Sequence, residues 1–244
     1  MLGLKIHTFP RLKKPVMIAA LPDMGNVAGI GMDFLIKKLK AKLFAEIYAF
    51  WPPAVSYDNG LLNYEQSSYK FHYSQKENII FFSGEFNPSD PRRLYELCYE
   101  VVGMAIKLKV STIYSIGAAL RQPTTSQPQV FAAATSKKLL EILKKEKIQI
   151  LQDKGQITGF NGLVLGIARE KKLESICVLG EIDNPNIIQP KTTEVILLKL
   201  ANILKIKPLD MKELEEEEKR KQFMEQQMNY MSGLGKKDNQ PGIA

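Results

Sequence analysis

The sequence predicts an α/β protein with a mostly parallel sheet and helices on both faces. Short apolar runs typical of buried strands occur at 15–21 (PVMIAAL), 78–83 (NIIFFS) and 175–179 (SICVL). Between them lie longer segments with apolar residues at helical spacing, and turns rich in glycine, proline or asparagine separate the two kinds of segment. Strands that alternate with helices form βαβ units, whose strands run parallel. A chain of 244 residues is long enough for one large domain of this kind.

Four further strands have less continuous patterns. Residues 69–73 (YKFHY) alternate between apolar and polar side chains, as a half-buried strand does. Residues 41–50 and 110–116 are apolar enough to be strands, and the second is expected to end at Gly117. Residues 149–153 have an extended pattern.

Helical spacing of apolar residues predicts five helices within the domain. The best defined of them follows Asn87-Pro88-Ser89-Asp90-Pro91, where Ser89 or Asp90 is a suitable cap and Pro91 fits the first helical position. Four of the predicted helices cover residues 32–39, 92–108, 135–145 and 192–204, and residues 159–171 are a turn that leads into the fifth.

The carboxyl-terminal part differs from the rest, so we divide the chain into three parts. Residues 1–207 form the α/β domain, residues 208–231 a charged helix, and residues 232–244 a disordered tail. Glutamates placed four residues before lysines or arginines support the helix, each pair by about 0.3 kcal/mol. Two interpretations of the helix remain open, a solvated extension and a helix that docks on a partner. The docking candidates are Met224, Met228, Tyr230 and Met231.

Composition excludes several classes of function. The net charge is +8, but the lysines are scattered as pairs such as Lys37-Lys38 and no basic run is interleaved with aromatic residues, so we expect no nucleic-acid partner. Cys98 and Cys177 are far apart in apolar contexts, which favours buried thiols. No signal peptide is recognised, and no apolar run approaches the roughly 20 residues that span a bilayer. We therefore expect a cytoplasmic protein without a membrane partner.

Motifs of catalysis and metal binding are missing from the sequence. There is no HExxH, no paired CxxC, no EF-hand loop and no G-x-S-x-G elbow, and the two histidines, His7 and His72, are not close in sequence to a candidate nucleophile. We expect no metal, no cofactor and no catalytic residues.

The glycine-rich stretch LPDMGNVAGIG (21–31) invites comparison with phosphate-binding loops. It has no Gly-Lys-Ser/Thr end, which a P-loop needs, and Gly25, Gly29 and Gly31 do not have the G-x-G-x-x-G spacing of a dinucleotide site. Asp23 places a carboxylate where an anion would bind. We interpret the stretch as a turn at Gly25, followed by a helix that lies close to the sheet.

Polar residues follow several predicted strands and could converge in a crevice. The carboxyl ends of parallel strands form the ligand-binding edge of such a sheet. This edge could hold a polar ligand, a cation or a basic peptide, or it could be a solvated rim. The candidate ligand- or partner-binding residues are Asp23, Met24, Gly25, Asn26, Glu85, Arg121, Asn161, Glu181 and Asp183.

Several segments together resemble the proteasome assembly chaperone 2 family, in its archaeal branch. They are LPDMGNVAGIGMDFLIKKLKAKLFAEIY, WPPAV, FFSGEFNP and ITGFNGLVLGIAREKKLESICVLGE. No single motif is enough to identify the family, but the order and spacing of the four segments make the set specific. The resemblance covers about residues 10–205 and leaves the tail outside.

The resemblance implies a three-layer α/β/α sandwich similar to the nucleoside phosphorylase fold. It also implies a non-enzymatic assembly chaperone or scaffold that self-associates and binds proteasome α subunits or a related protein. Some members end in a hydrophobic-Tyr-any tripeptide that enters pockets between α subunits, whereas this chain ends Gly242-Ile243-Ala244. The alternative is an enzyme that binds a small ligand or processes nucleosides in the acidic crevice.

Overall fold

A nine-stranded sheet and a separate hairpin contain all the strands of the described residues. The structure is a computed structural model that describes residues 3–49, 55–64, 67–121, 127–152 and 154–235, with side chains described up to residue 227. The strands are β1 (Gly3–Ile6), β2 (Val16–Ala19), β3 (Lys42–Tyr48), β4 (Ser56–Asp58), β5 (Leu61–Asn63), β6 (Ser68–Ser74), β7 (Ile79–Ser83), β8 (Thr112–Leu120), β9 (Val130–Ala134), β10 (Gln149–Ile150) and β11 (Glu174–Ile182). The helices are α1 (Val27–Lys38), α2 (Pro91–Lys107), α3 (Lys137–Lys145), α4 (Gly159–Glu170), α5 (Pro190–Leu204) and α6 (Lys212–Gly235).

The sheet is parallel at its centre and antiparallel towards both edges. Its strand order is β1-β3-β6-β7-β2-β8-β11-β9-β10, and β4 pairs with β5 in the hairpin. The central strands β7, β2, β8 and β11 are parallel to one another, and β9 is parallel to β10. The β1–β3, β3–β6, β6–β7 and β9–β11 pairs are antiparallel. The predicted α/β class is confirmed, with antiparallel edges that the alternation of strands and helices did not reveal.

Helices cover both faces of the sheet and complete the three layers. On one face, α2 and α4 pack over an aromatic core in which the Phe82 ring lies 4.8 Å from that of Phe71 and 5.2 Å from that of Phe160. On the other face lie α1, α3 and α5. There, a Cβ on Gly31 would lie 2.8 Å from Cδ1 of Ile116, so the missing side chain lets α1 approach β8 closely. The interpretation of this glycine as a packing residue is confirmed.

Two central strands are longer than predicted, and this displaces a candidate site residue. Strand β8 continues through Gly117 to Leu120, and β11 continues to Ile182, because the two strands pair in register along their whole length. Glu181 therefore lies inside β11, opposite Ala119, and not just beyond the strand.

The helix boundaries agree with the predicted signals at the amino end of α2 and differ at α6. Asp90 is the cap of α2, since its side chain accepts a hydrogen bond from the Arg92 amide at 2.9 Å, and Pro91 is the first helical residue. The charged helix α6 begins at Lys212 and runs to Gly235, so residues 232–235, predicted as disordered, are helical. Residues 236–244 lie outside the described residues, and the three-part division of the chain stays a prediction.

Candidate functional site

A cleft of about 900 Å³ opens at the carboxyl ends of β2 and β8. Its walls are the end of β8, the beginning of α4 and the segment between β10 and α4. This is the edge at which open α/β sheets bind ligands, next to the point where the chain crosses from one face to the other. The charged or amide side chains along the cleft belong to Asp23, Asn87, Arg121, Gln149, Gln152, Lys154, Gln156 and Asn161.

Asp23 lies deep in this cleft and is held by two backbone amides. Its Oδ1 accepts from the Ala28 amide at 2.8 Å and its Oδ2 from the Ala118 amide at 2.6 Å. Gly117 leaves room for this approach, because a Cβ there would lie 3.1 Å from Oδ2. Burial raises the pKa of Asp23 to about 6, although both amides favour the charged form. The carboxylate joins the glycine-rich turn to β8.

Two asparagines hold the backbone of the same turn from the other side. The side chain of Asn161 accepts from the Leu21 amide at 2.8 Å and donates to the Leu21 carbonyl at 2.9 Å. Asn87 donates to the Pro22 carbonyl and accepts from the Phe160 amide at 3.2 Å. Both side-chain amides bond to the protein backbone, so these two asparagines have a structural role.

The turn itself is built on two consecutive residues with positive φ, Gly25 at 64° and Asn26 at 51°. The Gly25 amide donates to the Pro185 carbonyl at 2.8 Å, and the Gly25 carbonyl accepts from the Gln189 amide at 2.9 Å. A Cβ at Gly25 would lie 2.6 Å from Cγ of Gln189, so glycine is required for close approach as well as for φ. The amides of Gly25, Asn26 and Ala28 all donate to groups of the protein itself, so they are not directed at a phosphate.

Three of the predicted acidic residues are not brought into the cleft. Glu85 is exposed on the α1 side, where burial and then the charge of Glu85 raise the pKa of Asp33. Glu181 is buried and accepts from the Gln129 amide at 3.2 Å.

Asp183 accepts from the Gln189 side chain at 3.3 Å, outside the cleft lining. Arg121 does line the cleft, with its guanidinium 4.4 Å from the centre of the Phe131 ring. Of the four acids and the arginine that could have converged, Asp23 and Arg121 line this cleft, whereas Glu85, Glu181 and Asp183 do not. The binding roles of the candidates, including exposed Met24, stay predictions.

The beginning of α6 is packed against the domain. Met211 and Leu214 are buried in the core on the α1 and α5 face. Lys37 pairs with Glu213 at 2.7 Å, and Lys221 donates to the Gln189 side chain at 3.0 Å. Through Gln189, this stretch of α6 reaches the loop that holds Gly25.

Beyond Lys221 the helix presents apolar side chains to solvent. Phe223 is 60% exposed and Met224 is 56% exposed. Met228, Tyr230 and Met231 belong to the same helix, but their side chains lie outside the described residues.

The described residues give no indication of a metal centre or of a membrane-spanning helix. Within them, no group of three or more His, Cys, Asp or Glu side chains could hold a metal ion. Cys98 and Cys177 are buried, which raises the pKa of each thiol to about 12. In the part of the chain that was searched, no helix is long and apolar enough to cross a bilayer.

The sequence model of the PAC2 family matches residues 17–229. The chain belongs to the PAC2 family. The resemblance noted in the sequence is thereby confirmed, but its expected extent is wrong, since the match continues beyond residue 205 through most of α6.

One archaeal protein is similar to this PAC2 protein in sequence, and two archaeal crystal structures are similar to it in fold. An uncharacterized protein of Methanocaldococcus jannaschii is 28% identical over 224 residues, which is 91% of this chain and 84% of that protein. PbaB of Pyrococcus furiosus, described as an archaeal proteasome activator, has a TM-score of 0.84 at 24% identity and covers 93% of this chain and 98% of its own. PbaA of the same organism is described as an archaeal homolog of proteasome-assembly chaperone. It has a TM-score of 0.78 at 20% identity, and the match covers 96% of this chain and 95% of PbaA.

Sequence reasoning about this PAC2 protein missed some residues that shape the site. Asn87 was noted only in a helix start, although it lies in FFSGEFNP, one of the segments that carry the resemblance. Lys154 and Phe131 line the cleft without any motif around them that could have identified them. Gln189 connects the glycine turn to α6, a role visible only from contacts between distant parts of the chain.

Proposed function

We propose that this PAC2 protein is a non-enzymatic, cytoplasmic assembly chaperone or scaffold that binds proteasome α subunits or a closely related protein. The observation that carries the proposal is the exposed apolar pair Phe223 and Met224, borne on a helix whose beginning is fixed to the domain. The descriptions of PbaB and PbaA, as a proteasome activator and a proteasome-assembly chaperone homolog, support the choice of partner.

The geometry of α6 suits presentation of a binding segment. Residues 212–221 lie against α1 and the start of α5, where the Lys191 amide donates to Glu218 at 3.1 Å. The following residues, 222–235, extend the helix by about 21 Å at 1.5 Å per residue. Phe223 and Met224 are at the beginning of this extension, and methionine side chains adapt their shape to a partner surface.

The buried polar groups of the cleft serve the fold and are not free for catalysis. Both oxygens of Asp23 accept backbone amides, and the asparagine side chains are used in the same way. A general base or nucleophile needs a side chain directed at substrate. The acidic residues that would have made the crevice reactive, Glu85, Glu181 and Asp183, lie elsewhere.

The proposal is tested by retention of purified proteasome α subunits on the immobilised full-length chain. A chain that ends after Lys221 keeps the packed part of α6 and loses the extension. We expect this chain to fold with unchanged stability and to retain much less α subunit than the full chain. Deletion from residue 208 would be a poorer test, because it also removes buried Met211 and Leu214 from the core.

Substitutions distinguish specific binding by the exposed apolar residues of α6 from non-specific hydrophobic binding. Phe223→Ser with Met224→Ser should reduce retention, whereas Tyr95→Ser is a matched control, since Tyr95 is half exposed on α2 at the opposite face of the sheet. Retention that is lost equally with Tyr95→Ser, or absent for the full chain at physiological salt, would contradict the proposal.

A further inference from the structure

The mouth of the cleft carries two cationic side chains that the described part of the fold does not use. Arg121 directly follows β8, and Lys154 lies on another wall, in the segment between β10 and α4. Both residues are exposed, and among the described residues neither has an acidic partner. Lys37, by contrast, pairs with Glu213 at 2.7 Å. The two cations of the mouth are therefore available to a group that does not belong to the described chain.

The guanidinium of Arg121 is held in position by an aromatic ring. Its Cζ lies 4.4 Å from the centre of the ring of Phe131, which is buried. A cation over the face of a ring is stabilised by the negative charge of that face. The N–H groups of the guanidinium form a planar fork that matches two oxygens of a carboxylate or a phosphate. Arg121 is thus oriented before any ligand binds.

The charges that line the cleft favour an anion at its mouth. The described lining contains one acid, Asp23, against the cations Arg121 and Lys154. Asp23 lies deep in the cleft, and each of its oxygens already accepts a backbone amide, which offsets part of its charge. The amino end of α4, at Gly159, also lines the cleft and adds a partial positive charge. This balance is that of the described residues, and Asp153, which precedes Lys154, lies outside them.

The remaining walls of the cleft suit an apolar molecule. Leu151, Ile157, Leu179 and Phe131 contribute apolar side chains to the lining. The volume of about 900 Å³ is within the range of small-molecule sites, roughly 300–1,000 Å³. Such sites typically combine apolar walls with a few polar groups that orient the ligand. Two cations beside apolar walls correspond to that composition.

We propose that the cleft binds a small organic oxyanion, a molecule with an apolar body and one carboxylate or phosphate group. The oxyanion lies at the mouth, where Arg121 donates two hydrogen bonds and Lys154 a third. The apolar body lies against Leu151 and Ile157. The molecule is held and not converted, because the buried polar groups of the cleft serve the fold. The cleft lining contains no residue of α6, so this site is independent of partner binding by that helix.

Four probes with the same ring system test the sign of the charge. Naphthyl phosphate and naphthoate carry an oxyanion, naphthalenemethanol is neutral, and naphthylmethylamine is a cation. Each is titrated into the full-length chain and followed by the amide resonances. At least one anion should saturate the chain with a Kd on the order of 1 mM, at least about tenfold tighter than the cation. The perturbed amides should include those of Gly117 and Gly155 in the cleft. The tighter of the two anions identifies the phosphate or the carboxylate as the preferred group.

Substitutions assign the binding to the two cations. Arg121→Gln and Lys154→Gln should each weaken binding of the anion by at least about fivefold. Both side chains are exposed, so both variants should unfold at the wild-type temperature. The matched controls are Arg169→Gln, in the last turn of α4, and Lys107→Gln, in the last turn of α2. Lys107 also lies over an aromatic ring, 4.8 Å from the centre of Phe9, but it is not in the cleft lining. Both controls should leave the affinity within about twofold.

Four results would each overturn the proposal. The cation could bind as tightly as both anions, or neither anion could saturate the chain by about 10 mM, tenfold above the expected Kd. The perturbed amides could lie outside the cleft, or neither cleft variant could weaken binding beyond its matched control. None of these results bears on the binding of α subunits by α6, which is measured separately.

Discussion

Two regions that follow the carboxyl ends of strands in the same sheet present opposite kinds of surface. The turn after β2, residues 21–27, is largely buried apart from Met24, and its backbone is tied to Asn161, Asn87 and the Pro185 carbonyl. The hairpin after β3 exposes most of its apolar side chains. The two differ in their contacts: the first is held by other parts of its own chain, whereas the apolar side chains of the second are left exposed.

The segments that carry the family resemblance lie in the first kind of region, whereas the residues that we propose to bind a partner are exposed. LPDMGN, FFSGEFNP and ITGFNG meet at this turn and are held together by hydrogen bonds between asparagine side chains and the backbone. These segments therefore have a structural role. The hairpin, and Phe223 and Met224 of α6, are exposed instead.

The largest expected effect comes from Gly25→Val. The substitution forces positive φ on a β-branched residue and places its Cβ 2.6 Å from Gln189, so we expect it to lower the free energy of unfolding by about 4 kcal/mol. Gly60→Val is the matched variant in the hairpin, where φ is also positive but no heavy atom lies within 4 Å of the added Cβ. Denaturant unfolding should show a much smaller loss for Gly60→Val, and equal losses would break the comparison.

Asn161→Ala should have the next largest effect. It leaves the amide and carbonyl of Leu21 without their partners in a buried site, which costs about 3 kcal/mol. Asn63→Ala changes an exposed asparagine of the hairpin and should alter the free energy of unfolding by less than about 0.5 kcal/mol. If chemical denaturation gave similar losses in the free energy of unfolding for the two variants, the turn would contribute no more to stability than the hairpin.

Asp23 makes a smaller contribution that depends on pH. Its pKa is raised in the folded protein to about 6 from the ordinary 3.8, so the folded state binds the proton more tightly than the unfolded state. Folding stability should therefore increase as pH falls from 6 towards 4, and decrease as pH rises through the same window. Relative to Asp23→Asn, the wild type should gain about 2 kcal/mol on going from pH 7 to pH 4.

The control for that experiment is Asp58→Asn in the hairpin, measured by thermal unfolding at the same pH values. A wild-type profile that changed in the opposite direction, relative to Asp23→Asn, would show that the two amide hydrogen bonds outweigh burial at Asp23.

Glu213→Gln should have the smallest effect. Glu213 pairs with Lys37 at 2.7 Å, but Lys37 is largely exposed, so the pair contributes less than about 0.5 kcal/mol and is screened by salt. Leu214→Ala, one residue further, removes a buried side chain and should cost about 2 kcal/mol. Unfolding at low and high salt would distinguish apolar anchoring of α6 from anchoring by charge.

Local patterns in the sequence predicted the core of the fold and missed its irregular parts. Continuous apolar runs such as NIIFFS identify central strands because both faces of those strands are buried. β9 was missed because VFAAA is short and rich in alanine, and its place is fixed by pairing with β11. The hairpin was missed although Asn59-Gly60 is a strong turn signal.

The site was less predictable because its contacts join distant residues. Asn161 and Leu21 are 140 positions apart, and no local pattern shows that they bond. The predicted acidic crevice failed for a related reason: the β8–β11 pairing extends β11, and the Glu181 side chain bonds to the Gln129 amide beside it.

The most direct test of the account is the affinity of the purified full-length chain for proteasome α subunits, compared between an α6 variant and a cleft variant. Phe223→Ser with Met224→Ser should weaken binding at least about tenfold, as loss of two central apolar contacts does. Arg121→Ala, in the cleft, should leave the affinity within about twofold. Loss of binding with Arg121→Ala together with unchanged binding by the α6 variant would contradict the claim that this protein acts through the exposed apolar side chains of α6.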